Sequence, residues 1–206
     1  MNQSNFPIYP LLYAAPISFY ANWFQYNGCM DGFENFQKQT HRNRCKIYGA
    51  NGVITLSIPV QTNSKKVAMQ QVHISNIEAW QRIHWRSIES AYKSSPFFEF
   101  YSHLWAPIYE KKYSSLWEFN LDIHHVILAC LQSNSETCFT TEFIPLTNGD
   151  YRKVYSSKKV HPHSDEFPTY QQVFSYDKNF EPDLSIMDLI FNLGPEATDY
   201  LCHLKV

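Results

Sequence analysis

The fold is decided by residues 34–60, ENFQKQTHRNRCKIYGANGVITLSIPV, which join a polar and basic run to the pattern of a β-hairpin. Apolar positions alternate with smaller or polar ones from Ile54 to Val60, and a glycine-bearing turn at 49–52 separates them from the segment 45–48. Alternation with a period of two on both sides of such a turn predicts two antiparallel strands, each with one buried face.

The basic run before the hairpin contains the first candidate binding residues. These are Lys38, Arg42, Asn43 and Arg44. On a strand, Arg42, Arg44 and Lys46 share one face, so we expect two guanidinium groups side by side, a suitable receptor for phosphate or carboxylate. The alternative, an edge strand that carries solvated cations, is equally compatible with this spacing.

Strand-like and helix-like segments alternate along the rest of the chain. An apolar run at 8–13 predicts a first strand, residues 16–26 a helix, and residues 29–33 a second strand. Capping boxes at Ser75–Glu78 and Ser115–Glu118 predict helix starts, with another helix after Pro96 and a break at Pro107. Thr137–Ile144 reads as a strand, and Ser185–Leu193 as an amphipathic helix that ends at Gly194.

This order predicts one α/β, or possibly α+β, domain over residues 1–206. We expect a central mixed or mostly parallel sheet and a three-helix segment in the middle of the chain. The length of 206 residues and the 44% hydrophobic content are those of one folded domain with a substantial core.

Charge is distributed unevenly along the chain. Residues 38–112 hold 11 Lys/Arg and 4 Asp/Glu, a balance of +7, whereas residues 113–206 hold 6 and 13, a balance of -7. The middle of the chain therefore offers the anion-attracting surface. Because the total is -2 and no nucleic-acid motif is present, nucleic acid is not an expected partner.

Five scattered cysteines, without a CxxC pair, are expected to be reduced thiols of a cytoplasmic protein. No leader pattern and no run of about 18 apolar residues is visible, so we expect a cytoplasmic location and no membrane span. His161, His163 and Asp165 have loose metal-like spacing, but a surface loop is the favoured interpretation. No metal and no cofactor is predicted, and the oligomeric state is left open.

Candidate catalytic residues lie on the helices. His84 shares a helix face with Trp80 and Ile88, and is either a hydrogen-bonded core histidine or a general base. Trp85 and Arg86 beside it could bind a sugar ring and an anion.

Two further helix starts carry candidates. Ser95 begins a helix, where an anion could bind. Asp188 and Asn192 lie one turn apart on the last main helix, where Asp188 is either part of a helix cap or a catalytic carboxylate whose pKa would have to be raised by burial.

Five separated segments together resemble the WbqC-like protein family, over roughly residues 8–197. They are QKQTHRNRCKI, NGVITLSIPV, WQRIHWRSIESAYKSSPFFEFY, YEKKYSSLWEFN and PDLSIMDLIFNLGPEA. Many relatives begin with a His/Gln-Pro-x-Tyr-x-Pro element, whose leading His or Gln is missing at residues 9–16 of this chain. Family members are often encoded among genes for cell-surface polysaccharide synthesis, so the resemblance implies action on an activated sugar or on a group to be attached to one.

The leading functional hypothesis is a transferase of an acyl, aminoacyl or sugar group with a phosphate-bearing donor. Lys38, Arg42, Asn43 and Arg44 would hold the donor, and His84 or Asp188 would be the base. The alternatives are a non-catalytic sugar or nucleotide-sugar binding protein, and an interaction protein of a polysaccharide assembly complex.

Overall fold

The computed structural model of the protein describes residues 6–61, 66–145, 149–155, 162–175 and 179–206. The α-helices are α1 (Ile17–Tyr26), α2 (Trp80–Tyr92), α3 (Phe98–Glu110), α4 (Leu116–Cys130), α5 (Ile186–Leu193) and α6 (Ala197–His203). The strands are β1 (Ile8–Tyr9), β2 (Cys29–Met30), β3 (Arg44–Gly49), β4 (Gly52–Ser57), β5 (Val60–Gln61), β6 (His73–Ile74) and β7 (Cys138–Phe139).

A small parallel sheet, in the order β1-β2-β7, forms one part of the fold. The hairpins β3–β4 and β5–β6 are antiparallel. The α+β form of the predicted class is therefore confirmed, including parallel strands and three successive helices in the middle. The strand predicted over Thr137–Ile144 is wrong in length, because only Cys138 and Phe139 pair with β2.

The hairpin predicted from residues 34–60 is confirmed. Cys45 pairs with Leu56, and the turn closes at Gly49 and Gly52. Cys45 is buried on β3, whereas Arg44 is half-buried. The prediction that Arg42 shares the outer face of Arg44 is wrong, because β3 begins at Arg44 and Arg42 is fully buried before it.

The buried stripe of α2 is also confirmed: Trp80, His84, Ile88 and Ala91 all lie in the interior. The predicted capping box at Ser75–Glu78 is wrong, since α2 begins at Trp80 with Ala79 as its N-cap. At α4 the box is confirmed, because the Ser115 side chain accepts a hydrogen bond from the Glu118 amide.

The sequence also predicted a break at Pro107 and the end of a helix at Gly194. Pro107 lies inside α3, which continues to Glu110, so the predicted break there is wrong. The end of α5 is as expected, with Gly194 as its C-cap at a φ of 56°.

Helix α5 lies at the centre of one hydrophobic core that includes residues from Tyr9 to Leu204. Its first seven residues are all buried. The Ser185 amide donates to the Lys46 carbonyl, and the Ser185 hydroxyl donates to the Ala14 carbonyl, so the start of α5 is joined to both the N-terminal segment and the hairpin.

Two of the five cysteines are not the reduced thiols that the sequence predicted. Cys29 and Cys138 form a disulfide across β2 and β7, whereas Cys45, Cys130 and Cys202 are free thiols. The prediction of five reduced cysteines is therefore wrong for this pair, whose members are 109 positions apart.

None of the helices in the described ranges combines the length and the apolar character that crossing a bilayer demands.

Candidate functional site

Polar side chains collect where the parallel strands end. Asp31 follows β2 directly and Thr140 follows β7. Asp150 makes a parallel bridge to Ile8 of β1, which places the segment 149–152 at the same sheet. In open sheets with parallel strands, ligands bind in the crevice outside the carboxyl ends of the strands. The carboxyl edge of this sheet is therefore a candidate ligand-binding site.

A buried ion pair between Glu34 and Arg42 forms one half of this edge. Arg42 Nε donates to Glu34 Oε1 at 2.8 Å, and a terminal guanidinium nitrogen of Arg42 donates to Glu34 Oε2 at 2.5 Å. Arg42 is 0% exposed and Glu34 is 4% exposed. Burial raises the pKa of Glu34, and the opposing effect of Arg42 does not cancel it.

Arg152 forms the other half of the edge. It donates to Asp31 Oδ2, and its Nε lies 3.0 Å from Asp150 Oδ1. The hydrogen bonds to Asp150 raise the pKa of Arg152. The Arg152 carbonyl accepts from Arg42 at 2.8 Å, which links the two halves. Three carboxylates and two guanidinium groups thus form one network with a formal charge of -3 + 2 = -1.

A cavity of about 220 Å³ opens above this network. We call it the carboxyl-edge pocket, and it is lined by Glu34, Asn35, Gln37, Phe143, Arg152 and Lys153. The Phe143 side chain is 53% exposed, and the Arg152 guanidinium lies 5.4 Å from the centre of its ring. The pocket therefore combines an aromatic face, a buried carboxylate and two exposed amides, which is a lining that can hold a hydroxyl-rich ring.

The four residues predicted to converge on an anion lie in different places. Lys38 is exposed, next to Gln37 at the pocket, whereas Arg42 is in the buried network. The Asn43 amide donates to the Ile58 carbonyl at 2.9 Å, and Arg44 is half-buried on β3. The structure does not bring these four side chains onto one surface.

His84 belongs to a buried chain of hydrogen bonds. Its Nδ1 lies 2.9 Å from the Tyr13 hydroxyl, which lies 3.0 Å from the Tyr109 hydroxyl. Burial lowers the pKa of His84 to about 4, so this imidazole is neutral at pH 7. Tyr109 and Trp80 line a second cavity of about 390 Å³ at the start of α2. Tyr109 therefore belongs both to this chain of hydrogen bonds and to the lining of the cavity.

Of the other candidates on or near α2, Trp85 and Ser95 make packing or hydrogen-bond contacts within the fold, and Arg86 is on the surface. Trp85 is half-buried and packs against Phe98 and Tyr109, with ring centroids 6.1 and 5.6 Å apart. Arg86 is exposed on α2. The Ser95 hydroxyl donates to the Tyr92 carbonyl at 2.6 Å and lies in the turn between α2 and α3.

Asp188 is held in the interior by neutral donors. The Tyr170 hydroxyl at 2.6 Å and the Gln172 amide at 2.9 Å both donate to its Oδ2. Burial raises the pKa of Asp188 to about 6, while these hydrogen bonds and one with Tyr92 act in the opposite direction. Asn192 binds back to the Asp188 carbonyl through its amide at 2.8 Å. Asp188 and His84 thus lie in separate hydrogen-bonded groups.

Comparison with known proteins identifies the family. The model of the WbqC-like protein family matches residues 30–161 and 152–200. The chain belongs to the WbqC-like protein family. The resemblance inferred from the sequence motifs is therefore confirmed, and the matched region contains every residue of the carboxyl-edge pocket.

One relative of this WbqC-like chain is the uncharacterized protein Rv1507c of Mycobacterium tuberculosis. It is 26% identical over 197 residues, which cover 81% of this chain and 83% of the relative. No solved structure matches the chain.

Sequence reasoning missed most of the ionic network of this WbqC-like protein. One sequence pattern could have predicted Asp31 as a site residue: a carboxylate that directly follows a parallel strand lies at the carboxyl edge of the sheet, where ligands bind. Arg152 had no such pattern, because it lies outside any periodic segment, and Phe143 was covered only as part of the strand predicted over Thr137–Ile144. His161 lies outside the described residues, and within the described ranges no group of three or more His, Cys, Asp or Glu is placed to hold a metal ion.

Proposed function

We propose that this WbqC-like protein is a cytoplasmic transferase of bacterial surface-polysaccharide biosynthesis that acts on a phosphate-bearing activated donor. The transferred group is a sugar, an acyl or an aminoacyl unit. The observation that carries the proposal is the carboxyl-edge pocket, with the buried carboxylate of Glu34 in its lining. A cavity of about 220 Å³ is smaller than a typical drug-sized pocket of roughly 300–1,000 Å³, so it would hold one ring-sized unit of a small-molecule substrate and not nucleic acid.

The lining of the pocket supports a sugar ring as the bound unit. The exposed ring of Phe143 offers an aromatic face, and Asn35 and Gln37 offer amides that both donate and accept hydrogen bonds. The donor phosphate belongs at the rim, where Lys38 and Lys153 are exposed. Arg42 would act indirectly in this arrangement, because its charge is already matched by Glu34.

Glu34 is the group best placed for proton transfer in this pocket. Burial raises the pKa of Glu34, and a carboxylate with a raised pKa is a stronger base. In the proposed step Glu34 takes the proton of an acceptor hydroxyl or amine. The acceptor atom then forms a bond to the transferred carbon as the bond from that carbon to the donor phosphate oxygen breaks.

His84 and Asp188 remain predicted bases for the same reaction class. His84 is not in the lining of the cavity at the start of α2, but two residues near it, Trp80 and Tyr109, are. Asp188 is enclosed by Tyr170 and Gln172. The turnover of variants at the three positions shows which of the three residues acts as the base.

A non-catalytic sugar-binding protein is the second candidate, and one observation favours it. Both carboxylate oxygens of Glu34 accept hydrogen bonds from Arg42. A carboxylate fixed in this way shapes a pocket without exchanging a proton. This candidate predicts ligand binding without turnover.

The test begins with a panel of nucleotide sugars and acyl phosphates in a thermal-shift assay. A ligand at 100 times its dissociation constant stabilises the protein by about 2.7 kcal/mol. For a ligand that binds, Phe143→Ala should weaken affinity about tenfold or more. The matched control is Phe100→Ala, which removes a 67% exposed ring from α3. Equal effects of the two variants, or no binding by any phosphate-bearing compound, would count against the pocket.

Turnover then distinguishes an enzyme from a binding protein. Product formation from the bound donor and a sugar acceptor is followed by mass spectrometry. We expect Glu34→Gln to keep ligand binding and lose turnover, and His84→Gln and Asp188→Asn to lose less. Binding without product for the unmodified protein favours the second candidate. Full turnover by Glu34→Gln would remove Glu34 as the base.

A further inference from the structure

The disulfide between Cys29 and Cys138 lies directly beneath the ionic network. The two residues are register partners on the parallel strands β2 and β7. Asp31 follows two positions after Cys29, and Thr140 two positions after Cys138. The covalent link therefore fixes both strands at the point where they lead into the candidate site.

Thr140 connects β7 to the network. Its hydroxyl donates to Asp31 Oδ1 at 2.9 Å, and its amide donates to the Met30 carbonyl at 3.0 Å. The other oxygen of Asp31 accepts from Arg152, which lines the carboxyl-edge pocket. A displacement of β7 would therefore leave Asp31 without one donor and alter its contact with Arg152.

Apart from its pairing with β2, strand β7 has few other contacts with the part of the chain that the structure describes. It is two residues long, and both residues are exposed. Phe139 is 40% exposed and makes an edge contact with Trp117 at 5.9 Å between ring centroids. A short exposed strand opens locally at low cost unless it is cross-linked. The disulfide is thus the strongest constraint on the position of Thr140.

The disulfide is also open to chemical reduction. Cys138 is exposed and Cys29 is half-buried, so a thiolate can reach the Cys138 sulfur. The exchange uses two thiols of a reductant. The first attacks one sulfur to give a mixed disulfide and the second releases it, so both cysteines end as thiols and the reductant ends as a disulfide. Disulfides in a reducing compartment are usually catalytic or redox-sensing.

We propose that the Cys29–Cys138 disulfide is a redox-controlled strap that orders the carboxyl-edge pocket. In the oxidised protein it holds Thr140 on Asp31 and, through Asp31, positions Arg152. Reduction by a small or protein dithiol releases β7 and loosens the network. The consequence for substrate affinity rests on the proposed function, whereas the change in order does not.

Amide hydrogen exchange read by mass spectrometry tests the strap on the complete protein. The oxidised protein, the protein reduced with dithiothreitol, and the double variant Cys29→Ser/Cys138→Ser are compared. We expect about tenfold or faster exchange in residues 138–145 and 149–155 of the reduced and variant forms. Peptides from α5 should be unchanged, which shows that the fold is retained. Reoxidation should restore slow exchange.

Equal exchange in the oxidised and reduced proteins would overturn the proposal, whatever the double variant does. Cys202→Ser is the control, because it removes an exposed thiol and leaves the disulfide in place. It should keep the full redox response. In a second arm, affinity for UDP-glucose is measured in both redox states, and about fivefold weaker binding is expected after reduction. Failure of UDP-glucose to bind in either state counts against the proposed function, while the exchange data decide the strap.

Discussion

The Tyr170 hydroxyl and Asp188 Oδ2 are 2.6 Å apart in the interior, and the same oxygen also accepts from the Gln172 amide. Gln172 in turn binds both the amide and the carbonyl of Glu181, so the carboxyl group anchors a loop to α5. No cation is among the partners that oppose the effect of burial on Asp188. Burial therefore disfavours the ionised form of Asp188, because the charged carboxylate loses its contact with water.

Asp188→Asn should stabilise the protein at high pH. Burial raises the pKa of Asp188 from 3.8 to about 6, so the folded state binds the proton more tightly than the unfolded state. The resulting stability is complete below pH 4 and is lost as the pH rises through 6. One Asn oxygen can accept both donors that now reach Oδ2. We expect the variant to be about 2 kcal/mol more stable at pH 8 and equal at pH 4, by urea unfolding.

Asp199→Asn is the control for this prediction, because the Asp199 side chain is 81% exposed. At pH 8 it should change stability by less than Asp188→Asn does, because surface substitutions usually change stability by less than about 0.5 kcal/mol. If Asp188→Asn lowered stability equally at pH 4 and pH 8, an ionised, well-solvated Asp188 would be the better description.

Glu34→Ala should be among the most destabilising single substitutions. It leaves the Arg42 guanidinium, which is 0% exposed, as an unpaired buried charge. Breaking a buried pair from one side costs roughly 3–5 kcal/mol. The control is Lys111→Ala, which breaks a surface pair with Asp122 and should cost less than about 1 kcal/mol. Chemical unfolding at pH 7 measures both.

The double variant Glu34→Leu/Arg42→Met tests the same ion pair by removing both charges instead of one. Removal of both charges should cost less than Glu34→Ala alone, since hydrophobic residues of similar volume often replace a buried pair without loss. The single variants Glu34→Leu and Arg42→Met complete the comparison, and a double variant that costs the sum of these two would show that the residues do not interact.

Local patterns in the sequence predicted the parts of the fold that depend on local chemistry. The alternation around Gly49 and Gly52 gave the hairpin, and the spacing of Trp80, His84 and Ile88 gave the buried face of α2. Each of these features is decided within a few residues, by side-chain direction and turn geometry.

The candidate site depends on contacts that no local pattern contains. The sequence pattern predicts Arg42 on an outer strand face only if the alternation continues before Arg44, where β3 in fact begins. The partners of Arg42 are Glu34, eight residues earlier, and the carbonyl of Arg152, 110 residues later. Likewise, the disulfide pairs cysteines that are 109 positions apart. Only the folded chain shows which charges are paired and which thiols meet.

Gly194→Ala should cost more stability than Gly52→Ala. Both glycines have positive φ, at 56° and 111°, so both substitutions strain the backbone by about 1 kcal/mol. A Cβ at Gly194 would also lie 2.5 Å from the Phe97 ring, whereas nothing lies within 4 Å of one at Gly52. We expect a total loss of about 2–4 kcal/mol for Gly194→Ala, measured by urea unfolding. Adding Phe97→Leu should recover part of it, and equal losses at both glycines would contradict the predicted clash.

His84 should give the pH dependence opposite to that of Asp188. Burial lowers the pKa of His84 from 6.5 to about 4, so the unfolded state binds the proton more tightly. The stability that depends on neutral His84 is present above pH 6.5 and is lost as the pH falls through 4. In His84→Gln the amide can still bind the Tyr13 hydroxyl but does not titrate. The variant should be about 1 kcal/mol less stable at pH 7.5, and should equal or exceed the unmodified protein at pH 4.

His163→Gln is the matched control, since the His163 side chain is 58% exposed. At pH 7.5 it should cost less stability than His84→Gln, because surface substitutions usually change stability by less than about 0.5 kcal/mol. A constant difference between His84→Gln and the unmodified protein from pH 7.5 to pH 4 would mean that His84 is protonated equally in the folded and unfolded states. The description of His84 as a neutral histidine hydrogen-bonded to the Tyr13 hydroxyl would then be wrong.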